Sequence, residues 1–440
     1  MATTITPNIV TVNTTVVTAP TVSQLQQSGA IISIGGTTLA ANTYQYCGSL
    51  AAVTAILSAP LTLTSLAWAS GSVTATSAAT LELGTGQTFY TTIAGAVPAG
   101  YNGTFLATVT GTNTFTYALA TNPGTETSPG TYLPDDAAFV RDAATTFFAQ
   151  GSTVGVYVLE LGPQVSQAAA ITALGTYITG HLAPQQFYAY LTPRAWDSSS
   201  VSLAALAANY ESPSGQTYFF VSTSLANLPN YATNKAVFAT VYSPTAATTE
   251  VQAAQPFYQW LVNNPSAASP LAPMAYRYAY GVTPWAQQGN AANINTILTD
   301  YGNAILTGAQ GGISTATLFR GTTMDGVQSA YWYGIDWFRV QVQQALAAAV
   351  INGSNSNPPL IYNQAGINSL LAVANRVGRD AVAFGCAQSV TITATPFSTY
   401  VAANPANYAA GIYNGFSATV VGPSGFLTIT FNLTASQLPV

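Results

Sequence analysis

Charge is what this 440-residue chain has least of. Lys, Arg, Asp and Glu make up 5% of it, against about 25% in ordinary globular domains. Lys235 is the single lysine, and the formal net charge is −5. Phosphate binding needs clustered Lys and Arg, so the composition argues against a nucleic-acid partner. No charged side chain precedes Glu82 and none follows Asp380. A monomer stays soluble through a mixed-charge surface. Two long uncharged ends therefore suggest surfaces that are covered by protein, or a Ser/Thr/Ala-rich β protein kept soluble by hydroxyls and amides.

Histidine and cysteine are nearly absent. His181 is the only histidine, so any histidine-based acid, base or triad rests on it alone. It follows Gly180 at an expected helix end, where an imidazole serves as a cap. Cys47 and Cys386 show no CxxC spacing and no nearby histidine, which leaves neither a zinc site nor a disulfide framework. No stretch reaches the roughly 20 apolar residues a membrane helix needs. The first residues lack the basic start and apolar block of a signal peptide, so the expected site of synthesis is the cytosol. No GxSxG, P-loop, GxGxxG or HExxH pattern occurs. The 13 acidic residues leave paired-carboxylate glycoside hydrolysis open. However, Asp135 and Asp136 suit a helix start, and Glu160 and Asp325 read as surface positions at a strand end and in a Gly-flanked turn. The alternation Tyr276, Arg277, Tyr278, Ala279, Tyr280 reads either as a ligand face or as a packed strand with a buried partner for Arg277. No cofactor, metal or catalytic residue is expected.

What is present is apolar: 49% of the chain is hydrophobic, enough for a sizeable core. Residues 135–150 place Phe139, Ala143 and Phe147 on one helical face, and a β-branched strand follows from Val154. Helix and strand then take turns. A helix near Val165–Ile178 leads to a strand at Gln186–Leu191. A helix marked by Leu203, Leu206 and Tyr210 leads to Tyr218–Val221, and Ala236–Tyr242 closes the series. This alternation predicts an α/β core with an at least partly parallel sheet. Ile335, Phe338, Val342, Leu346 and Val350 mark a long amphipathic helix with Asp336 near its start. Ile367, Leu370, Leu371 and Val377 mark another over Gln364–Arg379. Residues 61–133 break the rhythm with short strands between Gly-containing turns, an inserted all-β module read as displayed outward. Both ends read as strands without local partners: Ile9–Thr18, with Val10, Val12, Val16 and Val17, and Gly425–Leu433, with Phe426, Leu427, Ile429, Phe431 and Leu433.

Several stretches resemble the sheath proteins of contractile phage tails of the myophage and prophage type. They are Phe139–Ser152 followed by Val154–Leu159, Lys235–Tyr242, Gly302–Gly308, and Arg320–Gly326 leading into Ile335–Gln341. In order, they cover most of 135–380. The module at 61–133 falls outside that pattern and looks like small β decorations of phage structural proteins. The resemblance implies a non-enzymatic structural subunit: residues 1–24 and 421–440 are linking arms, and 25–60 with 134–420 form the sheath core, with a possible division near 225–235. It implies a helical homopolymer around a tail tube, capped by baseplate and terminator proteins, located in the virion tail after assembly in host cytoplasm. No nucleic acid and no membrane insertion are expected. In such sheaths the arms complete sheets of neighbouring subunits. Charge from Arg320 onward sums to +1 and the remainder to −6, four bases against ten acids. Arg339, Arg376 and Arg379 are accordingly candidates for facing an acidic tube; internal pairs with Asp336 and Asp380 are the alternative. Two other functions remain open, another virion building block such as a tube, fibre or adhesin, and a tail-associated glycan-binding protein or hydrolase.

Overall fold

The computed structural model describes residues 25–81, 83–133, 137–182, 185–211, 217–307, 315–425 and 427. A short turn at Leu25–Gln27 leads into β1 (Gly29–Ser33), then β2 (Thr43–Cys47) and α1 (Leu50–Thr54), capped by the Ser49 hydroxyl. The next strands are β3 (Leu61–Ala69), β4 (Ser72–Ser77), β5 (Thr88–Ala94), β6 (Gly103–Gly111), β7 (Thr114–Ala118) and β8 (Thr131–Tyr132). After them come α2 (Ala137–Ala149), β9 (Val156–Glu160), α3 (Gln167–Gly180), β10 (Ala189–Leu191), α4 (Ser200–Ala208), β11 (Tyr218–Thr223) and β12 (Val237–Val241). The chain continues through α5 (Ala254–Leu261), α6 (Ala291–Thr299), β13 (Asn303–Thr307) and β14 (Ala316–Phe319). It ends, among the described residues, with α7 (Ser329–Ser354), α8 (Gln364–Ala383), β15 (Ser389–Ala394), α9 (Phe397–Ala403), α10 (Pro405–Ala409) and β16 (Phe416–Val421).

One eight-stranded sheet organises the core, in the order β14-β13-β12-β11-β10-β1-β9-β2. Its six inner strands are parallel, and only the edge strands β14 and β2 run antiparallel to their neighbours. Parallel strands covered on both faces must be apolar throughout, and β1, β10, β11 and β12 are buried along their full length. One face packs Phe147, Phe220, Phe257 and Trp260 beneath α2, α5 and α7. The other packs Ile171, Leu174, Leu203, Phe219 and Ile297 beneath α3, α4 and α6. A side chain at Gly29 would fall 2.7 Å from Phe257 and Leu261, so glycine lets α5 sit directly on β1. The division considered near 225–235 falls between β11 and β12, which pair in parallel from Phe219 to Thr223, so the sheet runs unbroken across it.

Residues 61–132 close into a six-stranded barrel, β3-β4-β7-β6-β5-β8. Period-2 alternation fills it: Phe89, Thr91 and Ile93 point inward from β5 and meet Phe115, Tyr117 and Tyr132. The outward residues of β5 face the core. Gln167 donates to the Thr88 carbonyl at 3.0 Å, Arg194 lies 4.8 Å from the Tyr90 ring, and Arg141 donates to the Thr92 hydroxyl at 3.1 Å. Two of the chain's eight cationic side chains thus sit at this joint.

Candidate assembly surfaces

Of the residues considered for chemistry, Asp135 and Asp136 lie outside the described residues, and His181, Glu160 and Asp325 make contacts within the fold. His181 caps α3: its Nδ1 lies 2.7 Å from the Tyr177 carbonyl and its ring stacks on Tyr177. Glu160, expected at the surface, is buried. Its carboxylate accepts from the Ser33 and Thr37 hydroxyls at 2.8 Å and from the amides of Gly35, Thr37 and Gly162. That clasp holds the loop after β1 against the end of β9, because a buried carboxylate must be fully hydrogen-bonded. Asp325 closes a turn through Thr323 and the Val327 amide. Among the described residues, no group of three His, Cys, Asp or Glu side chains could hold a metal, and no helix is long and apolar enough to cross a membrane. Cys47 and Cys386 are buried and free, with burial pushing both thiols up.

Tyr276, Tyr278 and Tyr280 are exposed. The segment pairs antiparallel with β14 at Tyr278–Thr317 and buries Ala279, as a packed strand would. Tyr276 and Ala279 donate backbone bonds to Leu318 and Ala316, so this segment caps the outer edge of β14 and turns its tyrosines to solvent. Among the described residues no carboxylate pairs with Arg277, whose pKa burial lowers. At the opposite sheet edge, Tyr44 and Tyr46 of β2 are exposed.

Beyond the sheet, the C-terminal third forms a separate layer. The first half of α7 packs on the core, but its far end leaves it: Val350 is 45% exposed and Ile351 64%. Val350 was expected on the buried stripe. The stripe ends early because, among the described residues, α8 and the loop at Leu360 are what lie against the far end of α7, and they leave its other side to solvent. Gly334 makes the close approach at the base of this layer, where a side chain would meet the Cys386 carbonyl at 2.1 Å. On α8 rests a two-stranded ribbon, with β15 and β16 antiparallel from Ser389 to Val421. Val390 and Ile392 pack at Gly378 of α8. Among the described residues neither strand has a third partner, so both outer edges present unpaired backbone groups.

Most of the expected arm residues, Val10, Val12, Val16, Val17, Phe426, Ile429, Phe431 and Leu433, lie outside the described residues. Leu427 is described, and its carbonyl accepts from the Tyr276 hydroxyl. Gly425 is held by Gln328 through paired bonds of 2.9 and 2.6 Å. The last described residues, Gly425 and Leu427, therefore lie beside β14 and the start of α7. Arg376 and Arg379 are exposed on α8. Arg376 and Asp380 line a groove between α7 and α8 together with Gln341 and Gln344. Arg339 is different: its Nε lies 3.9 Å from the Asp336 carboxylate. Asp336 itself was expected near the helix start. The helix begins at Ser329, which puts Asp336 in the second turn and fully buried.

A chain in the six-fold symmetrised cryo-EM structure of the anti-feeding prophage baseplate is similar over 99% of this chain and 100% of its own, at TM-score 0.56 and 11% identity. The two chains share a fold. A chain from the same baseplate in its contracted state aligns over 98% of this chain and 99% of its own, at TM-score 0.51 and 12% identity. The sheath tail protein of Listeria innocua aligns over 90% of this chain and 95% of its own, at TM-score 0.43 and 10% identity. No protein-family model and no curated protein matches the sequence. The two baseplate alignments extend over nearly the whole of this chain.

Proposed function

We propose that this chain is a structural subunit of a contractile tail sheath, polymerising helically around a tail tube and contracting to drive it through the host envelope. The observation that carries the reading is the β15–β16 ribbon. The ribbon packs one face on α8, and among the described residues neither of its edges is paired with a further strand, on a layer whose apolar side chains are in part exposed. Uncharged terminal segments are suited to complete it. Adding one strand along six residues makes about six backbone bonds. At about 0.5–1.5 kcal/mol net each, an arm contributes several kcal/mol. A contact from one copy to the next that does not close on itself builds a helix of subunits. The core then moves between two packings while the arms act as hinges, with no nucleotide and no catalytic chemistry. Arg376 and Arg379 are the candidates for the tube-facing side; Arg339 is committed to Asp336.

Truncation tests this reading. Negative-stain microscopy of the purified full chain should show hollow tubes or rings, and removal of residues 1–20 or 425–440 should leave soluble monomers. Truncated chains that still form tubes would refute the arms. The likeness to baseplate chains favours a second reading, a sheath-like subunit that forms a single ring at the tail end. It predicts one closed ring and no tubes at any concentration.

A further inference from the structure

Asp336 projects from α7 into the middle of the core, where its Oδ2 accepts from the hydroxyls of Tyr188 at 2.7 Å and Tyr218 at 2.9 Å. Tyr188 immediately precedes β10 and Tyr218 opens β11, so one carboxylate ties α7 to two adjacent central strands. Gln26 joins the same cluster from the other side. Its amide donates to the Tyr333 carbonyl at 3.0 Å and to the Tyr188 hydroxyl at 3.4 Å. The Tyr333 hydroxyl in turn donates to the Asn263 carbonyl at 2.8 Å, and Trp260 packs against Tyr188, Tyr218 and Tyr333. Gln26 is buried and lies two residues past the 24-residue N-terminal segment. Tyr333 and Asp336 sit at the root of the helix that carries the β15–β16 layer.

We propose that this cluster is a mechanical joint that locks the root of the N-terminal arm to the base of α7, so that a displacement of the arm moves the C-terminal layer with the sheet. Its use in a sheath rests on the reading of the arms given above; the coupling itself is a property of the single chain. Packed interiors transmit displacement because they are dense and have few alternative arrangements. The hydrogen bonds joining Gln26, Tyr188, Tyr218, Tyr333 and Asp336 add direction to that packing. Through Gln26, what pulls on the N-terminal arm bears on Tyr333 of α7 and on Tyr188 of the sheet. An arm held by one neighbour and a ribbon completed by another would then be rigidly related within each subunit, which a mesh that survives contraction requires.

Hydrogen–deuterium exchange on the full chain, kept as monomers at low concentration, tests the joint. Gln26→Ala should speed exchange of amides across Tyr333–Phe338 about tenfold, the effect of losing one buried hydrogen bond. Tyr188→Phe with Tyr218→Phe should speed exchange at residues 25–28. Combining all three should add less than the sum of the two separate effects, since they break one network. Tyr218→Phe alone, which removes one hydroxyl from Asp336 without touching Gln26, serves if the double tyrosine variant does not fold, and should also speed exchange at residues 25–28. Exchange that rises only around each substituted residue, with additive effects, overturns the joint. That outcome is independent of whether wild-type protein forms tubes, which decides the sheath reading separately.

Discussion

Replacing Asp336 by Asn should change how stability depends on pH, because Asp336 is fully buried and burial outweighs the groups that favour its charged form. Burial pushes its carboxyl up to about 6, while the Tyr188 hydroxyl, Arg339 and the Tyr218 hydroxyl hold it down. The ordinary value is 3.8. A raised acid pKa means that the folded protein binds the proton more tightly than the unfolded chain. Stability is therefore highest below the unfolded value and falls as pH rises toward the folded one. Between pH 4.5 and 7.5 the loss is about 2 kcal/mol. At about 2.1 cal/mol/K of unfolding entropy per residue, that corresponds to a Tm change of about 2 °C for a chain of this length. The Asn carbonyl keeps an acceptor for both tyrosine hydroxyls and loses the charge. Asp336→Asn should thus flatten the pH dependence by this amount and gain about 1–2 kcal/mol at pH 7.5, after the loss of charge-assisted bonds. Asp142, whose pKa burial also raises, is common to both proteins and cancels in the difference. Differential scanning calorimetry of the two chains from pH 4.5 to 7.5 reads it directly. Parallel Tm curves would refute the reasoning.

Four further outcomes follow from single contacts. Gly334→Ala sets a methyl group against the Cys386 carbonyl and should cost about 3 kcal/mol, read by urea denaturation; an unchanged midpoint would mean that α7 shifts freely. Glu160→Ala leaves five hydrogen-bond donations without their acceptor and should cost at least about 3 kcal/mol, with protease cleavage appearing first at residues 34–42. Arg141→Ala with Arg194→Ala removes two of the contacts to β5 and should raise amide exchange on β5 about tenfold while leaving β7 unchanged; uniform exchange across the barrel would place the joint elsewhere. Arg376→Glu with Arg379→Glu should block assembly on tubes without lowering Tm, since both side chains are exposed; normal assembly would remove these arginines from the tube face.

Local patterning made the core legible. The Phe139, Ala143, Phe147 stripe is α2, the apolar run at 218–221 is β11, and the alternating stretches around Phe89 and Phe115 are barrel strands, because each depends on period alone. Partners far away in sequence were not legible. Glu160 reads as a strand end because its donors Ser33, Gly35 and Thr37 lie more than a hundred residues upstream. Asp336 reads as a helix-start acid because the partners that bury it, Tyr188 just before β10 and Tyr218 at the start of β11, lie more than a hundred residues upstream. The strip at Tyr276–Tyr280 alternates as an inner strand does, yet it covers a sheet edge, and alternation alone does not say which face meets water. Val350 continues the apolar period of α7 into solvent for a related reason: periodicity marks a face and does not show what lies against it.

A sheath subunit of this kind needs its β15–β16 ribbon completed by strands of other copies. A cryo-EM map of the assembled particle, resolved well enough to trace strands, tests that most directly. It should show β15 and β16 as the inner pair of a four-stranded sheet, with one added strand from the N-terminal segment of one neighbour and the other from the C-terminal segment of another. A ribbon that stays two-stranded in the particle, or that is closed by its own chain's ends, would contradict the account.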